Sequence, residues 1–474
     1  MQDVVLKPEV WVVRPPRSRR VVAWWKGFGR PPRVMGVDVA RALAIIGMIG
    51  AHVGNAPDLV WTDPSTWLGV VHGRSSVLFA ILAGVSVSLV TGRSTLLAPE
   101  QIPPARLRLV GRGAAVFLIG VVLELFGTPI GVILPIYGAL FVIATAFLHW
   151  NAKKLLVVGG VLALVGPPVL ALLQALSMGA WGAGLSFLVF GLYPGTVWVA
   201  YLLIGMGVGR LRIDREKTAA ILLGVGVVLA FVGYGLGSFA APRGEEISWD
   251  PGGSEWGYEV KPGSEVDLTG YTCEVYDDGP SVSCYPDAMY GDFGTGAPSV
   301  SSMPWDDAAS SMQDGDGFAS SGSGSGEWSG DEYDYFEQLD WASIGESMFA
   351  AVTNSSPHSG GVLDIVGSSG FALAVLGLCL LAARRLRWVL LPLAAFGSMP
   401  LTAYAVHVVS VSVMGGGPGG MMMPSGSVWL WSCVVIGVAT LVWSNLWGKG
   451  PLERFVARVG TAAAREPRPH THAL

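Results

Sequence analysis

Ten apolar runs of about twenty residues constrain this chain more than any other feature. A helix of about 20 apolar residues crosses the hydrocarbon layer of a bilayer and satisfies its own backbone hydrogen bonds there. The runs therefore predict an all-α polytopic membrane protein with about ten transmembrane helices. They lie near residues 35–54, 73–91, 109–127, 130–149, 155–175, 193–210, 217–239, 361–382, 391–413 and 427–447.

Two shorter features of the apolar pattern need separate treatment. The apolar stretch 184–192 is too short to span and is either re-entrant or the start of the sixth helix. The first run begins after about 34 residues, is long, and contains Asp38 and Arg41. We therefore expect it to remain as a helix, and we expect no cleavable signal peptide.

The composition excludes several other classes of protein. Only 14% of the residues are charged and 51% are apolar, whereas about 25% of a soluble domain is charged. This excludes a soluble enzyme, a nucleic-acid-binding protein and a protein with a single membrane anchor. Membrane lipids are then the partners that the sequence predicts most directly.

The distribution of basic residues predicts the orientation. Lys and Arg concentrate in cytoplasmic loops of membrane proteins. The basic segments are the N-terminus, 92–108, 150–154, 210–217, 383–390 and the C-terminus. The alternate segments, with almost no basic residues, are 55–72, 128–129, 176–192, 240–360 and 414–426. This alternation predicts that both termini are cytoplasmic and that the chain lies in the plasma membrane, the inner membrane of a bacterium.

The net charge of −5 conceals a strong asymmetry. Residues 241–346 hold 23 of the 35 acids and two bases, a balance of −21, so the remainder carries +16. The asymmetry and the apolar runs together divide the chain into five segments. They are a basic cytoplasmic N-terminus (1–34), membrane helices one to seven (35–240), an acidic extracytoplasmic insert (241–360), membrane helices eight to ten (361–450) and a cytoplasmic tail (451–474).

The insert is rich in Gly, Ser and Asp and has no long apolar face, which predicts partial disorder. Cys273 and Cys284 are its only cysteines, and their C-x10-C spacing in an oxidising compartment favours a local disulfide over two free thiols. Its acids could bind divalent cations or cover a cationic partner, but they lack the spacing of an EF-hand. We therefore favour a solvated spacer and predict no metal site.

Ionisable residues inside membrane spans are costly and often functional. Asp38, Arg41 and His52 all lie on the first span. His52 follows Arg41 by eleven positions, about 16.5 Å along a helix. The helical rotation over this distance brings the two side chains to within about 20° of each other around the axis. Asp38 precedes Arg41 by three, again on the same face. One helix stripe thus presents an acid–base pair near the cytoplasm and an imidazole near the outer side, although a structural ion pair explains Asp38 and Arg41 equally well.

Further ionisable groups are expected in the outer half of the membrane. His407 lies on the ninth span, Glu124 ends the third and Asp364 opens the eighth. If these groups converge with His52, an imidazole would serve as general base and a carboxylate would orient it. The alternative is that each packs or caps locally. His72 and Arg74 stand at the outer start of the second span.

Several segments resemble known transmembrane acyltransferases. Residues 36–48, GVDVARALAIIGM, resemble the opening of the heparan-α-glucosaminide N-acetyltransferase family and its bacterial relatives, and the R-x10-H spacing is similar to the acyltransferase-3 family. GRSSVLFAILAG at 73–84, YPG at 193–195, GMGVGRLR at 205–212, SMPLTAY at 398–404 and GPLE at 450–453 are similar to later motifs of the bacterial relatives. The resemblance covers about 34–240 and 361–455, with departures at Ala42, usually Gly, and Val132, usually polar.

The resemblance implies an enzyme that passes an acyl group, acetyl in the family, from cytoplasmic acyl-CoA to an extracytoplasmic glycan or glycolipid. His52 would be the general base or would carry the acyl group transiently, with His407, Glu124 and Asp364 as further catalytic groups. Asp38 and Arg41 would lie near the CoA, and His72 and Arg74 on the acceptor side. The CoA phosphates would be held by Arg93, Arg106, Arg108 and Arg112. Positive-inside topology explains those four arginines equally well.

Two other functions remain open at this point. A transporter would use Asp38, Glu124, Asp364 and His407 as a proton relay, but transporters often contain two related halves, and we see no repeat between 35–210 and 217–447. A scaffold would recruit envelope enzymes through the insert, in which case deleting 245–340 abolishes function while polar intramembrane variants stay active. The acyl chain, the acceptor and the oligomeric state, for which a homodimer is one option, stay open.

Overall fold

The computed structural model divides the chain into two compact units, Met1–Gly244 with Tyr335–Leu474, and Glu245–Asp334. It describes residues 24–31, 33–57, 59–60, 63–177, 183–185, 189, 193–240, 271–275, 282–286, 339, 341–420 and 423–464. Residues 335–360, which we assigned to the insert, are grouped with the first unit.

All the secondary-structure elements described in the first unit are helices. Its longer helices are α1 (Met35–Val53), α2 (Arg74–Val90), α3 (Ile102–Glu124), α4 (Leu134–Ala144), α5 (Ala152–Leu176), α6 (Gly195–Arg210), α7 (Glu216–Ala240), α8 (Trp341–Thr353), α9 (Val362–Arg385), α10 (Arg387–Gly397), α11 (Pro400–Met414), α12 (Gly426–Trp447) and α13 (Pro451–Ala463). Short 3-10 helices lie at Pro64–Val71, Pro99–Gln101 and Thr145–Phe147, and a single helical turn at Ala183–Leu185.

Five of these helices, α1, α5, α7, α9 and α12, are long and apolar enough to cross a membrane. Two bent pairs raise the number to seven if each pair is one span: Pro64–Val71 with α2, bent by 41°, and α10 with α11, bent by 65°. The protein is therefore a helical membrane protein. The count of about ten spans and their orientation stay predictions.

The sequence pattern at 391–413 predicted one membrane span, and the structure divides this segment between two helices. The structure ends α10 at Gly397 and starts α11 at Pro400. Proline excludes the helical conformation from the residue before it, and Met399 accordingly has φ −129° and ψ 53°. Pro400 then occupies the first helical position, where its missing N–H costs nothing.

Helix α1 lies at the centre of the first unit. In its most apolar window 72% of the residues are buried, against 11% for α12. It packs against α2, α9, α10, α11 and α12. Glycines bring these backbones together: Gly36 faces the backbone of Leu380, and Gly397 faces that of Asp38. Small residues at such contacts are the usual means of helix association in lipid.

Trp429 of α12 packs on the outer part of α1. A Cβ at Gly50 would stand 2.5 Å from the Trp429 ring, so only glycine fits. The indole Nε1 donates a 2.9 Å hydrogen bond to the carbonyl of Ile46. This contact fixes α12 against the part of α1 that carries His52.

Two of the predicted segments contain structure that the sequence analysis missed. Helix α8 lies inside the segment assigned to the insert and packs against α5, α7 and α9. Helix α13 lies in the predicted tail and packs on α3, where Gly460 contacts Arg112 and the backbone of Arg108.

The described residues of the second unit form one antiparallel pair of strands, β1 (Tyr271–Val275) and β2 (Val282–Pro286). Their register places Cys273 opposite Cys284. The predicted disulfide between these residues stays a prediction. Most of the predicted disorder of the insert falls outside the described residues.

The contact between α2 and α6 generates a stability prediction. A Cβ at Gly205 would collide with the carbonyl oxygen of Ile81, whereas one at Gly160 meets nothing within 4 Å. We expect Gly205→Ala to lower the free energy of unfolding by about 1–3 kcal/mol through overpacking. Gly160→Ala is the matched control and should leave it unchanged or raise it by roughly 0.5–1 kcal/mol. Melting temperatures of the two variants in detergent check this, and an equal effect of both would contradict it.

Candidate active site

A charged cluster lies at the N-terminal end of α1. Arg41 Nη1 donates to Asp38 Oδ1 at 2.8 Å, and Arg33 Nε donates to Asp38 Oδ2. Arg41 Nη2 donates to Ser86 Oγ of α2 at 2.6 Å. Asp38 is only 3% exposed, so its charge depends on both arginines. Arg41 and Asp38 therefore form the facing pair expected from their spacing, and the pair links α1 to α2.

The C-terminal half of α1 meets α11 at two imidazoles, here called the histidine pair. His52 Nδ1 and His407 Nε2 are 3.1 Å apart, which is hydrogen-bonding distance. The two ring planes are 4° apart, with centroids separated by 5.3 Å. His407 is 1% exposed, while His52 is only half-buried. The pair thus has one enclosed member and one member open to its surroundings.

The surroundings of His407 bear on which nitrogen carries the proton. Its Nδ1 is buried and has no hydrogen-bond partner among the described residues. A buried N–H without a partner costs about 1–3 kcal/mol. The resting arrangement is therefore the one in which His407 Nε2–H donates to His52 Nδ1 and His407 Nδ1 is bare. The reverse arrangement places a proton on His407 Nδ1 and leaves His52 Nε2 free to accept one.

A small cavity lies beside the N-terminal ends of α2, α6 and α9. It is called the outer cavity after the side of the membrane that the sequence predicts for these ends. Its volume of about 20 Å³ is enough for one water molecule. Its walls include the aromatic rings of Trp198 and Tyr201 and the polar residues His358, Asp364 and Ser368. His72 and His358 lie close enough to His52 to interact with it electrostatically.

Asp364 lies buried in the wall of the outer cavity and accepts a 2.7 Å hydrogen bond from Ser368 Oγ. Ser368 is also 2.8 Å from the hydroxyl of Tyr234. The guanidinium of Arg74 lies 4.5 Å from the centroid of the Tyr234 ring. These contacts connect a buried carboxylate and a buried cation through one chain of polar groups.

The predicted catalytic residues only partly converge. His52 and His407 meet, whereas Asp364 lies in the wall of the outer cavity, which neither imidazole lines. Glu124 instead lies exposed at the C-terminal end of α3, and no described contact joins it to the histidine pair. The sequence placed it along the axis of one helix only, which does not decide whether it meets side chains of other helices. His72 contacts the loop after α1, with Nε2 3.0 Å from the carbonyl oxygen of Ala56.

The four predicted phosphate-binding arginines occupy the N-terminal half of α3 and the loop after α2. Arg106 Nε donates to the carbonyl of Thr145 at 3.1 Å. Arg93 and Arg108 are exposed, and Arg112 is half-buried against Gly460 of α13. Among the described residues there is no group of three or more His, Cys, Asp or Glu side chains that could hold a metal ion.

Sequence reasoning missed two polar residues with structural importance. Arg210 was assigned to a cytoplasmic loop but is 5% exposed, and it donates to the carbonyls of Thr91 and Leu148 at 3.0 and 2.7 Å. Its position directly after the glycines of α6 was the available signal. Glu453 joins α13 to the start of α11, and the GPLE motif was the only hint of it.

Comparison with known proteins identifies one family. The model described as "Heparan-alpha-glucosaminide N-acetyltransferase, catalytic" matches residues 33–234. This confirms the resemblance seen in the first part of the sequence and indicates a membrane acetyltransferase-like function. The match includes Asp38, Arg41 and His52 and ends before His407. No curated protein and no solved structure matches the chain significantly.

His358 generates a pH prediction. It lies between α8 and α9, with one side lining the outer cavity and the rest exposed. Desolvation lowers the pKa of its imidazole below 6.5, and the positive charges of His72 and Arg74 lower it further. The unfolded chain then binds a proton at a higher pH than the folded protein does. The free energy of unfolding should therefore fall as the pH drops below about 6.5 towards the folded pKa.

We expect the melting temperature of His358→Asn to fall less than that of the wild-type protein when the pH is lowered from about 7.5 to about 5.5. Asn suits the positive φ of 66° at this position. Melting temperatures of both proteins in detergent at the two pH values check this. Parallel losses in the two proteins would show that His358 contributes nothing to the pH dependence.

Proposed function

Because residues 33–234 match the catalytic-domain model of the heparan-α-glucosaminide N-acetyltransferase family, we propose that this protein transfers an acetyl group from cytoplasmic acetyl-CoA to an extracytoplasmic glycan or glycolipid. The observation that carries the proposal is the histidine pair: His52, on the helix that opens the family match, lies 3.1 Å from His407 of α11. A half-buried imidazole oriented by a second imidazole is suited to proton transfer.

In the proposed reaction His52 is the general base. The acceptor oxygen or nitrogen attacks the thioester carbonyl, and its proton passes to His52 Nε2. The tetrahedral intermediate then expels the CoA sulfur, which takes the proton from the His52 imidazolium. The net reaction moves the acetyl group to the acceptor and the acceptor's proton to CoA, and the enzyme returns unchanged.

His407 orients the base. For His52 Nε2 to accept a proton, His52 must carry its own proton on Nδ1 and donate it to His407 Nε2, 3.1 Å away. This arrangement places a proton on the buried Nδ1 of His407, where the N–H has no hydrogen-bond partner among the described residues. It therefore has the higher free energy in the resting protein. A positive charge on His52 is stabilised by the same hydrogen bond, which becomes charge-assisted when His52 is protonated.

The two ends of α1 would serve the two substrates. Arg41 and His52 share a face and are separated by about 16.5 Å along the helix. We assign the donor to the inner end, with its phosphates near Arg93, Arg106, Arg108 and Arg112. The acceptor would approach from the side of the outer cavity, whose wall includes Asp364, with His72 and Arg74 at the nearby start of α2.

Substitution of the histidine pair tests this function. We expect His52→Ala to lower the rate of acetyl transfer, measured as release of the CoA thiol by purified protein in liposomes, by about 10²–10⁴-fold. His407→Gln should retain more activity than His407→Ala, because the Gln amide can occupy the position of Nε2. His149→Ala is the matched control, because His149 is exposed and its recorded hydrogen bond is to Trp150.

Two outcomes would contradict the proposal. Undiminished transfer by His52→Ala would remove His52 from the reaction. Substrate-linked proton flux in proteoliposomes, without stabilisation of the protein by acetyl-CoA, would indicate a transporter instead.

A further inference from the structure

The proposed reaction leaves unused a carboxylate that lies where α11 and α13 begin. Glu453 Oε1 accepts hydrogen bonds from the backbone N–H groups of Leu401 at 2.8 Å and Thr402 at 3.0 Å. Its Oε2 accepts one from the Thr402 hydroxyl at 2.6 Å. The Thr402 hydroxyl in turn accepts a bond from the N–H of Leu452 at 3.3 Å. The motifs at 398–404 and 450–453 thus form a single contact.

This carboxylate completes the N-terminus of α11. The first N–H groups of a helix have no partner inside it, and the residue before α11, Met399, provides no side-chain cap. Pro400 has no N–H, and the N–H of Ala403 binds the carbonyl of Met399 at 2.9 Å. Leu401 and Thr402 remain, and Glu453 binds both. Glu453 also lies in the first turn of α13, so two helix N-termini stabilise its negative charge.

Helix α11 depends on this contact for its position. It has only 15 residues and starts at a 65° bend, so α10 does not hold it in line. Helix α13 is itself packed on α3 through Gly460. Glu453 therefore connects the start of α11 to a fixed neighbour. His407 follows Thr402 by five residues, about 7.5 Å along the axis.

We propose that Glu453 is a positioning residue, which holds the first turn of α11 so that His407 stays within hydrogen-bonding distance of His52. Its catalytic consequence rests on the proposed function. A hydrogen bond of 3.1 Å tolerates a displacement of only a few tenths of an ångström, so tilting of α11 separates the histidine pair.

Gly450 supports the same geometry independently. A Cβ at this position would collide with Glu453 Oε2 and would stand 2.8 Å from the Thr402 hydroxyl. Its φ of −59° suits any residue, so an alanine would be excluded by this carboxylate and not by backbone strain. Gly450→Ala therefore displaces the carboxylate while leaving Glu453 in the chain.

The test compares Glu453→Ala, Glu453→Gln and Gly450→Ala in the full-length protein. Glu216→Gln is the matched control, because Glu216 is exposed and lies 3.6 Å from an exposed Arg385. Two measurements need no enzymatic activity: deuterium exchange of peptides covering 401–414, and carbethoxylation of His407 by diethyl pyrocarbonate, quantified by mass spectrometry. The third is the kcat, KM and pH profile of acetyl transfer.

We expect Glu453→Ala and Gly450→Ala to exchange faster in α11 and to expose His407 to modification. Their kcat should fall by about 10²-fold with little change in the KM for acetyl-CoA. The pH of half-maximal kcat should also shift, because His52 loses the partner of its Nδ1. Glu453→Gln should show smaller changes, since its amide oxygen still accepts from the two backbone N–H groups.

Unchanged exchange and unchanged His407 modification in Glu453→Ala would overturn the proposal, as would unchanged kcat in an active enzyme. A wild-type protein without acetyl transfer would overturn the proposed function instead. Exchange and modification would still decide in that case whether Glu453 positions His407.

Discussion

The close approach of α1 to its neighbours is the constraint on which the rest of this structure depends. Burying an apolar side chain between helices gains little free energy in a membrane, because the lipid tails around it are equally apolar. Helices therefore associate where small residues allow their backbones to pack closely. Gly36 and Gly397 bring α1 against α9 and α10, and Gly50 accepts the ring of Trp429. These contacts enclose a helix that also carries Asp38, Arg41 and His52. Because α1 is surrounded by other helices, its charged and polar side chains are shielded from lipid and can contact partners on several of those helices.

Each polar group on α1 is matched by a group from elsewhere in the chain. Asp38 is bound by Arg33 and Arg41, and Arg41 reaches Ser86 on α2. His52 meets His407, which is 355 residues further along. The desolvation of each group is thereby offset by a hydrogen bond or an ion pair. Within the histidine pair, Nδ1 of His407 has no hydrogen-bond partner among the described residues, and its protonation accompanies the base-competent form of His52.

The resemblance and the geometry describe complementary halves of the candidate site. The family match ends at residue 234 and contains α1, but the partner of His52 comes from the later part of the chain. That later part reaches its position through a proline-initiated bend and through Glu453, which joins α11 to α13. The segment after the match is thus required to complete the pair that the matched segment begins.

The sequence by itself determined the helical membrane class, the positions of most helices and the shared face of Arg41 and His52. Hydrophobic run length and the helical period act within one segment, so they can be read from the chain directly. The tertiary structure alone decided that His52 meets His407, that Glu124 stays exposed, that Arg210 is buried and that 391–413 bends at Pro400. These outcomes depend on how distant helices cross, which is set by side-chain packing between segments and not by the pattern within any one of them.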